Sequence, residues 1–417
     1  MNTNVTNDTI KIELPDKVDS NSAPAFEEEL LNIQIPDGVQ KIVLDAKGMK
    51  YISSAGLRVI LKFSKKVSLP IVIDDVAHDV YEIFNATGFT EMFTINKALR
   101  FVDIEGLEPL GRGVSGTVYR LNDEQVVKVF HRNLSREILE RIIHNIRAAI
   151  VQGIPTILPF EVVTTKDGIG FITERVANNE IAKKMHDNPE MIPFYAERMV
   201  AVLKKLAAAE MKPGELKKYE QRLIVDLEGL EVLISKEDIA LVKQFIEAVP
   251  ERYSAVHGDF QGCNVIEQGD EFILIDMDDL GYGHPVWDAT QLIPVYKICP
   301  TKPDQIKVIF DLPPEAPYDP FFSKIFRMTR EEATKCFDCF VDKYFEGMSE
   351  DRKEKCLKLM SIYNNVLFVR FINLNIRGKE LTPQQITAKR EVIMEYVNNL
   401  KQQDIAEIPE LFEAWPL

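Results

Sequence analysis

The amino-acid sequence predicts a small α/β domain followed by a larger α+β domain whose last part is helical. Short apolar strands alternate with amphipathic helices over residues 9–100. A glycine-rich strand–turn–strand pattern then begins near residue 110, and helical periodicity dominates residues 330–400. We therefore predict two domains, at 1–100 and 101–417.

Composition and charge limit the possible functions. The chain has 417 residues, more than one ordinary domain, with 46% hydrophobic and 28% charged residues, as in globular proteins. Its net charge of −15 argues against nucleic acid as a partner. No apolar run reaches the roughly 18 residues of a membrane span, and the N-terminus lacks a signal-peptide pattern. Five cysteines, an odd number, argue against a disulfide framework. These features predict a cytoplasmic protein with no membrane partner.

The first domain is predicted to contain alternating strands and helices. The predicted elements are strands at 9–14, 41–45 and 69–73, and helices at 25–33, from about 54 to 67, and at 80–87. Ser54 lies at the start of the second helix. We expect its hydroxyl to cap that helix by accepting a hydrogen bond from a backbone amide of the first turn.

The order of these elements, together with Ser-Ser-Ala-Gly-Leu at 53–57, resembles the STAS domain of bacterial anti-sigma-factor antagonists. In that family a serine at the position of Ser54 is phosphorylated, and its phosphate sets whether the domain binds its partner. The resemblance therefore implies that Ser54 is a candidate phosphosite, at a helix start that can accommodate phosphate charge. It also implies an anti-sigma-type protein as a partner. The family usually has Asp where this chain has Ser53.

The second domain begins with a glycine pattern of the form G-x-G-x-x-G-x-V. Its glycines are Gly111, Gly113 and Gly116, with strand-like residues on both sides. Such glycines permit a tight hairpin whose backbone amides approach nucleotide phosphates. The predicted strand at 126–130 carries Lys128, which could reach the same phosphates. A dinucleotide-binding glycine turn would instead open a helix, so the pattern favours a phosphate-covering hairpin.

Three oxygen-bearing side chains follow in the central part of the chain. Asp259 is followed five residues later by Asn264, and the apolar strand at 272–275 ends at Asp276. Phosphoryl transfer needs one carboxylate to orient the attacking hydroxyl, and an amide and a second carboxylate to hold Mg²⁺ against the phosphates. We therefore predict Asp259 as the catalytic base and Asn264 and Asp276 as Mg²⁺ ligands.

Two further carboxylates lie at the ends of predicted elements. Glu174 ends the second strand of a hairpin, and residues 174–177 are predicted to be the hinge whose backbone meets an adenine ring. Asp288 lies where another helix begins. It could cap that helix or brace the loop of Asp259, and capping is the preferred interpretation.

Residues 105–417 resemble the aminoglycoside phosphotransferase and choline kinase branch of the protein-kinase-like fold. His-Gly-Asp at 257–259, in place of His-Arg-Asp, and Ile-Asp-Met-Asp at 275–278, in place of Asp-Phe-Gly, favour this branch over eukaryotic-type protein kinases. The resemblance implies a bilobal α+β fold, with an N-lobe at about 105–178 and a helical C-lobe at about 179–417. It also implies ATP and Mg²⁺ as cofactors and a hydroxyl as the phosphate acceptor.

A helix glutamate holds the lysine in place in kinase-like lobes. The predicted helix at 134–152 offers Glu140 and Glu137 as partners of Lys128, and their spacing does not separate them. The strongly apolar C-terminal helix at 360–376 is interrupted by Asn364, Asn365, Arg370 and Asn373. These polar groups could line an acceptor pocket or form the polar edges of a packed bundle.

Two functions compete at this point. The leading hypothesis is an ATP-dependent phosphotransferase that acts on the hydroxyl of a small molecule and is regulated by, or coupled to, the N-terminal STAS module. The alternative is a partner-switching signalling protein, an anti-sigma-factor antagonist, whose kinase-like half senses nucleotide or phosphorylates Ser54.

Overall fold

The computed structural model describes the whole chain except Asn7, Val114, Arg132, Asn133, Asn178, Lys212, Pro213, Glu215 and Leu417. The chain divides into two compact units, residues 1–104 with 162–166, and residues 105–161 with 167–417. In the described part of the chain, no helix is both long enough and apolar enough to cross a membrane.

The first unit contains eight strands and four helices in its described residues. Its strands are β1 (Thr3–Thr6), β2 (Thr9–Glu13), β3 (Lys17–Val18), β4 (Lys41–Asp45), β5 (Tyr51–Ile52), β6 (Ile71–Val76), β7 (Thr94–Lys97) and β8 (Arg100–Phe101). Its helices are α1 (Ala23–Leu31), α2 (Ser54–Val67), α3 (His78–Ala86) and α4 (Phe89–Met92). The predicted elements are all present, and the structure adds the unpredicted elements β1, β3, β5, β7, β8 and α4.

A mostly parallel sheet forms the centre of the first unit. Its strand order is β1-β2-β4-β6-β7, and only β1 pairs antiparallel with its neighbour. Parallel neighbours need a crossover connection, which the helices between these strands provide. Ile12, Leu44 and Ile73 are paired with one another across the sheet and are completely buried. The apolar residues that alternate along these strands therefore form the core.

The second unit begins with an antiparallel sheet and one helix. These elements are β9 (Pro109–Arg112), β10 (Gly116–Arg120), β11 (Gln125–Phe130), α5 (Arg136–Val151), β12 (Pro159–Thr165) and β13 (Gly168–Glu174). Strand β11 lies between β10 and β13, with Lys128 opposite Val118 on one side and Phe171 on the other. A central strand is rigid, so the Lys128 side chain starts from a fixed backbone position.

The rest of the second unit is mainly helical. Its helices are α6 (Ile181–Asp187), α7 (Ile192–Ala208), α8 (Tyr219–Val225), α9 (Lys236–Glu247), α10 (Val286–Ile293), α11 (Cys299–Thr301), α12 (Pro303–Ile309), α13 (Tyr318–Phe326), α14 (Arg330–Tyr344), α15 (Glu350–Ile376), α16 (Pro383–Lys401) and α17 (Ile408–Glu413). Its strands are β14 (Ser254–Val256), β15 (Val265–Gln268), β16 (Glu271–Leu274) and β17 (Gly281–Gly283). Short 3₁₀ turns cover Gly262–Asn264 and Met277–Asp279.

The β15–β16 hairpin brings together two parts of the predicted site. Val265 pairs with Leu274, so the residue before β15 lies beside the segment after β16. The backbone amide of Ile275 donates to the carbonyl of Asn264 at 3.0 Å. Asn264 and Asp276 therefore approach each other because the hairpin ends there.

Candidate active site

The loop after β14 carries the predicted base. Gly258 has φ +84°, and a Cβ at this position would lie 2.7 Å from the Tyr219 ring. The left-handed conformation and the close ring both require glycine. This is the physical reason for the His-Gly-Asp sequence in this chain.

Asp288 braces this loop. Its Oδ2 accepts the backbone N–H of His257 at 2.7 Å, and its Oδ1 accepts the N–H of Gly258 at 2.8 Å. Pro285 is the N-terminal boundary residue of α10 and makes no side-chain cap. The preferred prediction that Asp288 caps α10 is therefore wrong, because both of its oxygens are used by the loop amides.

His257 connects the loop to the end of β16. Its Nδ1 accepts the backbone N–H of Asp259 at 3.2 Å, and its Nε2 lies 2.9 Å from the carbonyl oxygen of Ile275. Because Nδ1 acts as the acceptor, the ring proton belongs on Nε2, where it is donated to that carbonyl. The imidazole thus links Asp259 to the residue that precedes Asp276.

Asp259 is enclosed by amide donors. Asn264 Nδ2 donates to the Asp259 carbonyl at 2.8 Å and to its Oδ2 at 3.0 Å, and Gln261 Nε2 lies 3.3 Å from Oδ1. Burial, with the nearby charge of Asp276, raises the pKa of Asp259 to about 6. A carboxylate of this basicity is ionised near neutral pH and accepts a proton more readily than an ordinary aspartate.

Asp276 occupies the left-handed region of backbone space, with φ 59° and ψ 50°. This conformation is uncommon for a residue other than glycine and is found most often at functional sites. Burial acts to raise the pKa of Asp276, but Lys128 outweighs it and the net shift is downward. The side chain is 36% exposed, so this ionised carboxylate remains accessible.

Lys128 bridges two carboxylates. Its Nζ lies 2.5 Å from Asp276 Oδ1 and 2.7 Å from Asp278 Oδ2. Burial acts to lower the pKa of Lys128, but both carboxylates raise it and the net shift is upward. Burial also raises the pKa of Asp278 to about 7, against the opposing effect of Lys128. The second oxygen of Asp278, Oδ1, is buried and has no hydrogen-bond donor among the described residues.

The side chains around Asp276 suit Mg²⁺. Asn264 and Asp276 offer an amide and a carboxylate oxygen, which are among the ligands that Mg²⁺ prefers. Within the described ranges, no group of three or more His, Cys, Asp or Glu forms a metal site by itself.

The predicted glycine loop is a hairpin between β9 and β10. The amide of Gly113 donates to the carbonyl of Gly116 at 2.9 Å and closes the turn. A Cβ on Gly116 would lie 2.4 Å from the carbonyl oxygen of Val129, whereas one on Gly111 would meet nothing within 4 Å. Gly116 is thus required for strand pairing. Val114, at the tip of the motif, lies outside the described residues, and the phosphate contacts of all three glycines stay predictions.

Glu140 is not the partner of Lys128. Its carboxylate accepts from Arg136 Nε at 2.6 Å, one helical turn earlier. Helix α5 buries a different face, which includes Leu139, Ile142 and Asn145. The helical period therefore turns Glu140 towards solvent, and the lysine takes its partners from the segment after β16.

Glu174 ends β13 by holding the neighbouring chain. Its Oε1 accepts the backbone N–H of Leu158 at 2.6 Å, and its own N–H donates to the Leu158 carbonyl at 3.1 Å. Among the described residues, no hydrogen bond uses the N–H of Val176, two residues later. The contact of 174–177 with an adenine ring stays a prediction.

The start of α2 differs from the sequence prediction. Ser53 is the N-cap, because its extended backbone lets its hydroxyl accept the N–H of Gly56 at 3.4 Å. Ser54 is the first helical residue and is exposed. The prediction that Ser54 caps α2 is therefore wrong, and its hydroxyl is left on the surface.

Arg370 and Asn373 hold the helical core together. Arg370 forms ion pairs with Asp226 at 2.8 Å and with Asp279 at 2.9 Å. Asn373 Nδ2 donates to the carbonyls of Asp226 and Glu228. These contacts favour the packed-bundle interpretation over an acceptor pocket.

Sequence reasoning missed the roles of His257, Asp278 and Arg370. His257 belongs to the His-Gly-Asp motif at 257–259 and Asp278 to the Ile-Asp-Met-Asp motif at 275–278. The second carboxylate of Asp-Met-Asp is therefore a signal that could have indicated Asp278. The partners of Arg370 are more than 90 residues away in the chain, at Asp226 and Asp279. No local pattern could have indicated them.

Comparison with known proteins identifies both halves of the chain. The family model described as STAS domain matches residues 1–101, and the one described as Phosphotransferase enzyme family matches residues 106–310. A similar curated protein is the putative anti-sigma factor antagonist BtrV of Bordetella bronchiseptica. It is 37% identical over 81 residues, which cover 19% of this chain and 69% of that protein.

Solved structures with low sequence identity were also found. The ADP-bound aminoglycoside phosphotransferase APH(2'')-Ib is 16% identical, covers 78% of this chain and 98% of its own, and has a TM-score of 0.42. A choline/ethanolamine kinase family protein from Mesorhizobium loti is 15% identical, covers 75% and 92%, and has a TM-score of 0.41.

The family matches confirm the predicted fold class, an α/β STAS domain before an α+β kinase-like domain, and the predicted enzyme class, a phosphotransferase. The chain therefore belongs to the STAS-domain family through its first domain, and residues 106–310 of its second domain match the model of the phosphotransferase enzyme family.

Proposed function

We propose that residues 101–417 transfer the γ-phosphate of ATP to a hydroxyl of a small molecule, and that residues 1–100 regulate this activity or are coupled to it. One observation carries the proposal. The four side chains that such a reaction needs form two contacting pairs, Lys128 with Asp276 and Asn264 with Asp259, and the N–H of the residue before Asp276 donates to the carbonyl of Asn264. Phosphoryl transfer is catalysed mainly by positioning and electrostatics, so a cluster of this kind is the essential part of the machinery.

In the proposed reaction, Asp259 accepts the proton of the acceptor hydroxyl. The hydroxyl oxygen then forms a bond to the γ-phosphorus, while the bond from that phosphorus to the bridging oxygen of ADP breaks. The raised pKa of Asp259 suits this role, because a base is most effective when its pKa lies near the working pH. Lys128 would neutralise phosphate charge as ADP departs.

Asn264 and Asp276 would hold Mg²⁺, which neutralises charge on the β- and γ-phosphates when it is bound. The protein contributes the position of these two ligands. Asp288 fixes the loop of Asp259 through two backbone amides, and His257 ties that loop to Ile275. The base and the metal ligands are thus held in a constant relation to each other.

Transfer of labelled phosphate from ATP tests the proposal. Wild type, Asp259→Ala and Asp270→Ala would be incubated with aminoglycosides, choline analogues and sugars in parallel. Asp270 is an exposed residue beyond β15 and provides the matched control. We expect transfer by wild type and Asp270→Ala and none by Asp259→Ala. Equal absence of transfer and ATP hydrolysis in all three proteins, with no thermal shift on adding nucleotide, would refute the proposal.

Partner switching is the second candidate function. It is favoured by the exposed Ser54 hydroxyl and by the similarity of this domain to a putative anti-sigma factor antagonist. A phosphate on Ser54 would lie at the N-terminus of α2, where the helix dipole favours negative charge.

Affinity capture with Ser54→Asp and Ser54→Ala tests this function. An anti-sigma-type protein should bind one variant and not the other, and equal binding would count against it. Peptide mapping after incubation with labelled ATP shows whether the second domain phosphorylates Ser54 itself.

A further inference from the structure

Lys128 needs a permanent partner in the second unit. Its side chain is only 14% exposed, and a buried ammonium without a partner is strongly destabilising. Two of its three N–H groups point to Asp276 and Asp278, which leaves one for a phosphate oxygen. The Phe130 ring lies 4.9 Å from Nζ and closes another side.

Helix α5, whose residues are all described, presents no carboxylate on its buried face. Glu137 and Glu140 both occupy exposed positions, and Glu140 is paired with Arg136. The polar residue of the buried face is Asn145, whose Nδ2 lies 3.4 Å from the carbonyl oxygen of Leu280. A neutral amide at this place contacts the segment after β16 and cannot balance the charge of Lys128.

Asp276 is poorly suited to be the only partner of Lys128. It is a proposed metal ligand, and a carboxylate that shares its charge with a divalent cation attracts a neighbouring ammonium less strongly. Asp278 lies two residues later, and its Oδ2 already lies 2.7 Å from Nζ. It can keep this contact while Asp276 serves the metal.

The turn that carries Asp278 is anchored from two helices. The next residue, Asp279, pairs with Arg370 of α15 at 2.9 Å and with Arg222 of α8 at 3.0 Å. Arg370 has only 6% of its side chain exposed, and it also binds Asp226. The pair with the buried Arg370 fixes the backbone of this turn from α15, so the position of Asp278 does not depend on α5.

We propose that Asp278 holds Lys128 directed at the nucleotide phosphates, and so does in this chain what a helix glutamate does in other kinase-like lobes. It is a positioning residue that acts through Lys128. This inference rests on the proposed function. It assigns the lysine partner to the same turn as the metal ligand.

Nucleotide affinity measured with and without metal provides the test. A fluorescent ATP analogue would be bound to wild type, Asp278→Asn, Lys128→Met and the double variant, first with EDTA and then with Mg²⁺. We expect Asp278→Asn to weaken binding about tenfold in both conditions. We expect no further loss when it is added to Lys128→Met, because its effect passes through the lysine. Glu140→Gln and Glu137→Gln are the matched controls and should remain within about twofold of wild type.

Four outcomes would overturn the inference. If Asp278→Asn lowers nucleotide affinity only when Mg²⁺ is present, Asp278 is a metal ligand. If the losses of affinity add in the double variant, Asp278 does not act through Lys128. If Glu137→Gln strongly lowers nucleotide affinity, the partner of Lys128 lies on α5. If Asp278→Asn binds the analogue as tightly as wild type, Asp278 does not position Lys128. Asn has nearly the shape of Asp, and a thermal unfolding scan checks that each variant is folded.

The proposed function fails in a different way. If wild type neither binds the analogue nor hydrolyses ATP, then the phosphotransferase proposal and this inference fall together. If wild type binds and hydrolyses ATP while Asp278→Asn is unchanged, only the inference falls.

Discussion

The two candidate sites of this chain differ in how they handle charge. Ser54 lies exposed at the first position of α2, with the capping hydrogen bond made by its neighbour Ser53. In the other site, Lys128 forms ion pairs with Asp276 and Asp278 in a partly buried cluster. A site for modification or partner binding must be reached by another molecule. A site for phosphoryl transfer must keep its charges oriented away from bulk water.

The two sites also differ in the destabilising features that they contain. The first site needs only a helix start and one N-cap. The second contains a left-handed Asp276 and a buried Asp278 oxygen without a hydrogen-bond donor among the described residues. Each such feature costs on the order of 1–3 kcal/mol, which the ion pairs around the cluster must offset.

The largest contrast should appear in turnover. We expect Asp259→Asn to reduce the rate of phosphate transfer by roughly 10²–10⁴-fold, because the proton acceptor is lost. Ser54→Ala should leave the rate within about twofold of wild type. Steady-state kinetics of both variants measure this. A strong loss in Ser54→Ala would show that the two sites are not separate in function.

Removal of a buried ion pair should have the next largest effect. We expect Arg370→Met to lower the free energy of unfolding by about 3 kcal/mol, since it removes the most buried partner of Asp226 and Asp279 and leaves them only more exposed arginines. Lys358→Met on the same helix is the control. Its exposed pair with Glu407 is worth at most about 1 kcal/mol. Urea denaturation compares them, and equal losses would contradict the structural role of Arg370.

Acid should weaken the second unit through His284. Burial, with a contribution from Arg252, lowers the pKa of His284 from 6.5 to about 3. Between about pH 6.5 and pH 3, His284 therefore binds a proton in the unfolded state but not in the folded state. The free energy of unfolding falls as the pH drops through this range. At pH 5 the free energy of unfolding should be about 2 kcal/mol lower than at neutral pH. His284→Asn should remove this part of the pH dependence in urea titrations, and an unchanged slope would exclude His284 as its source.

The smallest effect concerns the helix start in the first unit. Ser53→Ala should lower the stability of this unit by about 1 kcal/mol through loss of the N-cap. Ser54→Ala should change it by less than about 0.5 kcal/mol. Thermal unfolding of the two variants decides between them. A greater loss in Ser54→Ala would restore Ser54 as the capping residue.

Local patterns were sufficient for much of the fold. Period-two strands and a serine at a helix start indicated the first domain, and the order of Lys128, Asp259, Asn264 and Asp276 indicated the second. The proximity of Asn264 and Asp276 follows from the β15–β16 hairpin. Such features are local consequences of sequence, so reading them in order was enough.

Long-range pairing was the part that sequence could not supply. Lys128 and Asp278 are 150 residues apart, and helical spacing alone left Glu137 and Glu140 as equal candidates. Asp288 binds backbone amides, which carry no sequence signature. The choice between Ser53 and Ser54 depends on which of them has the extended backbone, a difference of one residue that boundary prediction does not resolve.

Asp288 also ties the loop of Asp259 to the interior of the second unit. Its neighbour Trp287 is almost completely buried and donates its indole N–H to Glu220 at 2.7 Å. The amides of His257 and Gly258 can therefore exchange with deuterium only when α10 opens locally. Their protection factors report how tightly the loop of Asp259 is held, and they can be measured before any acceptor has been identified.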